Sequence, residues 1–186
     1  MAGPNFFWDS CVFNAFLYDE RNAYDVDSIV RYLADAKDQK CRIYTSEIFL
    51  AEVRNSKIKN PKYGSTMEFI NDYAGATVPI AASIPIMELT GRLKDIPYRK
   101  EQSDKRQLST GDGIMLATCL LMPEMFGVAI DIFHTFDDGR KKKQIPLLSY
   151  EKWCEGLTGE HKELANRVCK IVRKIPVHPQ PELIRR

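Results

Sequence analysis

Phe6-Phe7-Trp8-Asp9-Ser10-Cys11-Val12 is an aromatic and β-branched run with a single charge inside it. Such a run reads as a buried strand. A lone ionised carboxylate within it is costly. Asp9 is therefore expected to emerge at the strand's carboxyl end, where open α/β sheets keep their ligand crevices. The competing reading of Asp9 is a cap for a helix starting near Val12.

Working outward, apolar and helical periods alternate. Asp25 to Ser28 offers a cap before Ile29, Val30, Leu33 and Ala34, a helical stripe. Lys40 to Tyr44 reads as a short strand. Thr45-Ser46 caps a helix carrying Ile48, Phe49, Ala51, Glu52 and Val53. Ser65-Thr66 starts another helix, which Gly75 ends. Thr77-Val78-Pro79-Ile80 reads as a third strand, near an edge because proline cannot complete a ladder. Ile86 to about Lys94 reads as a helix and Arg99 to Leu108 as a polar loop. Asp112 to Met122 is an apolar helix capped by Ser109 or Thr110. Val128 to Phe136 is a fourth strand and Ile145 to Ser149 a short fifth. Glu160 to about Lys174 is an amphipathic helix, and Pro176, Pro179 and Pro181 mark an extended tail.

Strands that alternate with helices imply βαβ units. The expectation is an α/β, Rossmann-like fold with a central, mostly parallel sheet of four or five strands flanked by helices. Residues 1–150 form the main domain. Residues 151–186 form a helix and tail packing on it through Leu164, Ala165, Val168, Cys169 and Val172.

The composition is that of a globular protein: 186 residues, 44% hydrophobic, 28% charged, net charge +2. Five cysteines, odd in number and without C-x-x-C spacing, read as reduced thiols. The three histidines form no H-x-x-x-H pair, which argues against a histidine metal site. The N-terminus lacks the basic and apolar regions of a signal peptide. Ala74 to Met87, the most apolar stretch, is broken by Pro79, Ser83 and Pro85 and is too short to span a bilayer. The expected setting is cytoplasmic, with no membrane partner.

Asp9, Glu52, Asp112 and Asp137 fall at strand ends or in the helices that follow, where a doubly wound sheet gathers its loops. Each has a plainer alternative. Glu52 reads also as a solvated helix acid, Asp112 as a first-turn dipole partner, and Asp137 as part of an Asp-Asp-Gly turn in which Asp138 is the rival. Two carboxylates about 5 Å apart at an effective dielectric of ~20 repel by about 3 kcal/mol, so a cluster persists only with cations or shared protons. All-oxygen ligands favour Mg²⁺ or Mn²⁺. With four acids neutralised, the remaining net charge is roughly +6, that of a mildly basic protein with an acidic hole.

These motifs together resemble a PIN-domain ribonuclease. They are Phe7-Trp8-Asp9-Ser10, Tyr44-Thr45-Ser46 to Ala51-Glu52-Val53, Gly111-Asp112-Gly113-Ile114-Met115-Leu116-Ala117-Thr118 and Phe133-His134-Thr135-Phe136-Asp137. The resemblance covers about residues 5–150. It implies an endonuclease that hydrolyses single-stranded RNA with Mg²⁺ or Mn²⁺ and leaves a 5′-phosphate. Asp9, Glu52 and Asp112 are then the principal metal ligands and Asp137 the more variable fourth acid. Ser10, Ser46 and Thr135 match positions that support the carboxylates. Many bacterial members are toxins neutralised by a small antitoxin protein, and many are homodimers. This chain departs from the pattern in having Cys11 where an Asn is frequent, in its paired Asp137 and Asp138, and in its length.

Two basic segments flank the acids. Arg99, Lys100, Lys105 and Arg106 precede Asp112, and Arg140, Lys141, Lys142 and Lys143 follow Asp137. They are expected to hold RNA phosphates on either side of the scissile bond, the alternative being two solvated loops.

Overall fold

The computed structural model describes residues 3–100, 104–139 and 143–179. Arg140, Lys141 and Lys142 of the second basic segment lie outside the described residues. The chain runs β1 (Asn5–Trp8), α1 (Ser10–Leu17), α2 (Val26–Lys37), β2 (Arg42–Ser46), α3 (Ile48–Glu52), α4 (Thr66–Asp72), β3 (Thr77–Ile80) and α5 (Ile84–Lys94). It continues with β4 (Arg99–Lys100), β5 (Asp104–Lys105), α6 (Thr110–Phe126), β6 (Ile132–His134), α7 (Gly159–Cys169) and β7 (Arg173–Lys174).

Five strands form one parallel sheet in the order β3-β2-β1-β6-β7, flanked by helices, which is the Rossmann-like α/β arrangement expected. β1 lies at its centre because both of its faces are apolar: Phe7 and Trp8 are fully buried. The order reverses on either side of β1, so the switch point lies between β1 and β6. Pro79 sits in β3, the sheet edge, where its missing N–H costs no ladder bond. α6 is apolar on most of its circumference and packs between α5 and β2. Gly127 ends it in the left-handed region at φ 65°, its N–H bonding the Pro123 carbonyl at 3.1 Å.

Several boundaries differ from the sequence expectation, each for a local reason. The first strand ends at Trp8, and Ser10 already begins α1, so Asp9 lies between them at the helix's N-cap position. Its N–H bonds the His134 carbonyl at 3.0 Å, while its side chain makes no cap bond. Ser46 belongs to β2, and its Oγ accepts only a long 3.5 Å bond from Ile48 N–H. The polar loop before α6 contains an antiparallel two-stranded ladder, β4 with β5. Pro123 kinks nothing fatally, since it falls in the last turn of α6, which runs on to Phe126. The fourth strand shrinks to Ile132–His134. Ile145 to Ser149 is no strand: Pro146 leads into a 3-10 segment, Leu147–Trp153. The last helix stops at Cys169, and Arg173–Lys174 becomes β7, paired with β6. Residues after 150 thus supply an edge of the main sheet, with Leu164, Ala165 and Val168 buried on α7. No helix of the described residues is long and apolar enough to cross a membrane.

Candidate active site

The carboxyl ends of β1, β2 and β6 open onto one cleft of about 470 Å³. Asp9, Glu52, Asp112, Asp137 and Asp138 all line it. Each arrives by a different route. Asp9 follows β1 directly and is 4% exposed. Glu52 closes α3, the helix after β2, and is exposed. It lies over Gly111, where a Cβ would overlap its carboxylate. A side chain at 111 would require this exposed carboxylate to move away. Asp112 sits in the first turn of α6. Ser109 Oγ donates to Asp112 Oδ2 at 2.5 Å and accepts from Asp112 N–H at 3.0 Å, a reciprocal cap. Asp137, beyond β6, takes Gly139 N–H on Oδ1 at 3.3 Å and Leu147 N–H on Oδ2 at 3.1 Å.

Asp9 is held on one oxygen. Thr135 Oγ1 donates to Oδ2 at 2.7 Å and Cys11 Sγ donates to the same atom at 3.0 Å. Cys11 in turn accepts Phe136 N–H at 3.1 Å. Cys11, one of the five cysteines read from sequence as reduced thiols, is therefore a structural partner of the first acid. Burial pushes its thiol well above the ordinary range, so it remains a donor.

The electrostatics are those of crowded, desolvated acids. Burial raises the Asp9 carboxyl above its ordinary value, and the charges of Glu52 and Asp137 push it the same way against the Cys11 and Thr135 hydrogen bonds. Asp112 is pushed up to about 7, chiefly by burial, then by Asp9, with Asp137 and Glu52 adding. Both acids sense Asp137; Asp138 is exposed at the cleft rim. Arg54 is the only basic side chain among the described residues lining the cleft.

Two further oxygens point to a missing partner. Ser10 Oγ and Asn14 Oδ1 are buried, line the cleft and have no hydrogen-bond partner. Buried hydroxyl and amide oxygens are normally satisfied. With four carboxylates they make a hard, all-oxygen donor set of the kind Mg²⁺ or Mn²⁺ takes. The donors are spread, however: among the described residues no group of three His, Cys, Asp or Glu side chains is placed to hold a metal ion as it stands. Asp9, Asp112 and Asp137 each rest on protein donors of their own.

The other expected residues divide. Ser10 and Thr135 are at the cleft or bonded to its acids; Ser46, the last residue of β2, is buried and does not line it. Arg99, Lys105 and Arg106 line a separate cavity, and Lys100 and Lys143 line neither. Asn14, Arg54 and Gln144 line the cleft without having been singled out from sequence. Asn14 could have been found: after Ser10 it is the next polar residue with a hydrogen-bonding oxygen in an otherwise apolar α1. No protein-family model, no curated protein and no solved structure is similar enough to this chain to count as a match, so the site rests on its own residues.

Proposed function

We propose that the chain is a Mg²⁺- or Mn²⁺-dependent endoribonuclease of PIN type, hydrolysing phosphodiester bonds in single-stranded RNA. The observation that carries it is the convergence of Asp9, Glu52, Asp112 and Asp137 on one cleft at the sheet's switch point, with Asp9 and Asp112 short of positive charge. These four acids would hold the cation. Bound there, it supplies positive charge to the scissile phosphate and acidifies water near neutral pH. The remaining residues prepare that site. Thr135 and Cys11 fix Asp9 on Oδ2, Ser109 fixes Asp112, and Gly111 admits Glu52. Arg54 offers a charge to a phosphate at the rim. Asp9→Asn is expected to abolish cleavage while leaving the melting temperature within a few degrees; cleavage retained in that variant excludes the site.

A second reading is a catalytically silent module that binds RNA or a protein. The spread of the acids, which form no ready-made three-residue metal group, favours it. Mn²⁺ separates the two readings. A nuclease site gathers its carboxylates around the ion and stabilises the fold by mass action. A silent module melts at the same temperature with Mn²⁺ and with EDTA.

A further inference from the structure

Lys94, Arg99, Lys105 and His161 surround a second cavity of about 470 Å³. It adjoins the acidic cleft through one short segment: Gln107 lines this cavity and Ser109 lines the cleft. No carboxylate among the described residues lines it, in contrast to its neighbour. Its lining includes apolar Ile96, Pro97 and Leu157, of which Pro97 is exposed.

Lys94, Arg99, Lys105 and His161 are all exposed, but two of these charges are held by neighbours. The Arg99 guanidinium lies over Gly156, where a Cβ would overlap it, and Arg99 Nε donates to the Glu155 carbonyl at 3.2 Å. Gly156 also has φ +66°, so its lack of a side chain serves both backbone and guanidinium. Lys94 Nζ donates to Thr110 Oγ1 at 2.8 Å, two residues before Asp112. Arg106 forms a wall, its guanidinium carbon 4.3 Å from the Trp153 ring centroid. Two positioned cations, with Lys105 beside them and apolar side chains in the lining, match a phosphate joined to a flat, apolar-faced ring.

We propose that this cavity binds one nucleotide of the RNA strand, outside the scissile position. Its phosphate meets Lys94, Arg99 and Lys105; its base lies against Pro97 and Leu157, with His161 at the edge. The proposal rests on RNA being the substrate, but binding is read without metal or cleavage. Wild-type protein in EDTA is titrated with 5′-AMP while the imidazole proton signals of His134, His161 and His178 are followed. The expected result is a saturable shift of His161 alone. Lys105→Glu, and independently His161→Ala followed by competition against a labelled RNA octamer, should weaken binding on the order of tenfold. The slope of log affinity against log salt for the octamer should fall by about 0.7 in Lys105→Glu. No His161 shift, or equal affinity for ribose 5-phosphate and 5′-AMP, overturns the proposal. So does polyglutamate shifting His161 as strongly as RNA, which would mark an acidic protein segment as the occupant. A wild type that binds 5′-AMP here and never cuts RNA keeps the cavity and removes the nuclease.

Discussion

Asp112 holds its proton more tightly in the folded chain than in the unfolded one, since burial and Asp9 push its carboxyl from 3.8 up to about 7. With the folded value raised, its contribution to stability is fully present below about pH 4 and is lost as pH rises through about 7. The metal-free protein is therefore expected to melt lower at about pH 8 than at about pH 6. Asp112→Asn should raise the pH 8 melting temperature by several degrees, at roughly 2–4 °C per kcal/mol for a chain this size, while ending cleavage. Thermal melts in EDTA check both, and a wild type with equal melting points at the two pH values contradicts the assignment. Gly111 makes a sharper test. Gly111→Ala suits the helix, so stability should hold or rise by about 0.5–1 kcal/mol. Its Cβ displaces the Glu52 carboxylate, and the cleavage rate should drop on the order of 10²-fold. Unchanged kcat/KM in that variant removes Glu52 from the site. At this scale the acids were legible because each breaks a local rule: Asp9 follows an apolar strand, and Asp112 opens an apolar helix. Arg54 breaks no such rule, and Asn14 breaks one only weakly, as a second polar residue in an α1 that Ser10 already opens. Their place at the cleft depends on the turn of α1 and on the chain beyond α3, neither of which is a property of nearby sequence.

Strand ends, more than strand identities, decide where the chemistry lies. The period of each segment announced β1, β2, β3 and their helices, and Pro79 announced an edge. Periodicity could not stop the first strand at Trp8, because Ser10, Cys11 and Val12 are as compatible with a strand as with the helix they enter. Nor could it separate Cys169 from Arg173, since helix and strand there share one apolar and basic composition. Arg173–Lys174 becomes a strand because β6 offers it an open edge: Phe133 N–H bonds the Val172 carbonyl at 2.8 Å and Thr135 N–H the Lys174 carbonyl at 3.0 Å. The second of these bonds fixes the backbone of the residue that holds Asp9. A chain ending at residue 150 is accordingly expected to lose both its sheet edge and its activity. Leu164→Ala, which empties a buried position on α7, should cost about 2–5 kcal/mol while the active site persists. Urea titration measures the second. A stable, soluble and active truncated chain would show that α7 and β7 are dispensable.

Across the whole molecule, two adjacent cavities of opposite character give the chain a direction. In the proposed function the acidic cleft at the β1–β6 switch point carries the chemistry, and the cationic cavity holds the strand. The architecture that puts them together was legible in the alternation of strands and helices. The cationic cavity was legible only as basic residues before Asp112; that Lys94 and His161, from α5 and α7, complete it is a matter of tertiary packing. Should the proposed nuclease act as a toxin, its expression would arrest growth of a bacterial host, and Asp9→Asn would relieve the arrest. The most direct test of the central claim is cleavage of a mixed set of labelled single-stranded RNAs by wild type and Asp9→Asn, each with Mn²⁺ and with EDTA. The account predicts cutting only by wild type with Mn²⁺; cutting that survives EDTA or the loss of Asp9 would contradict it.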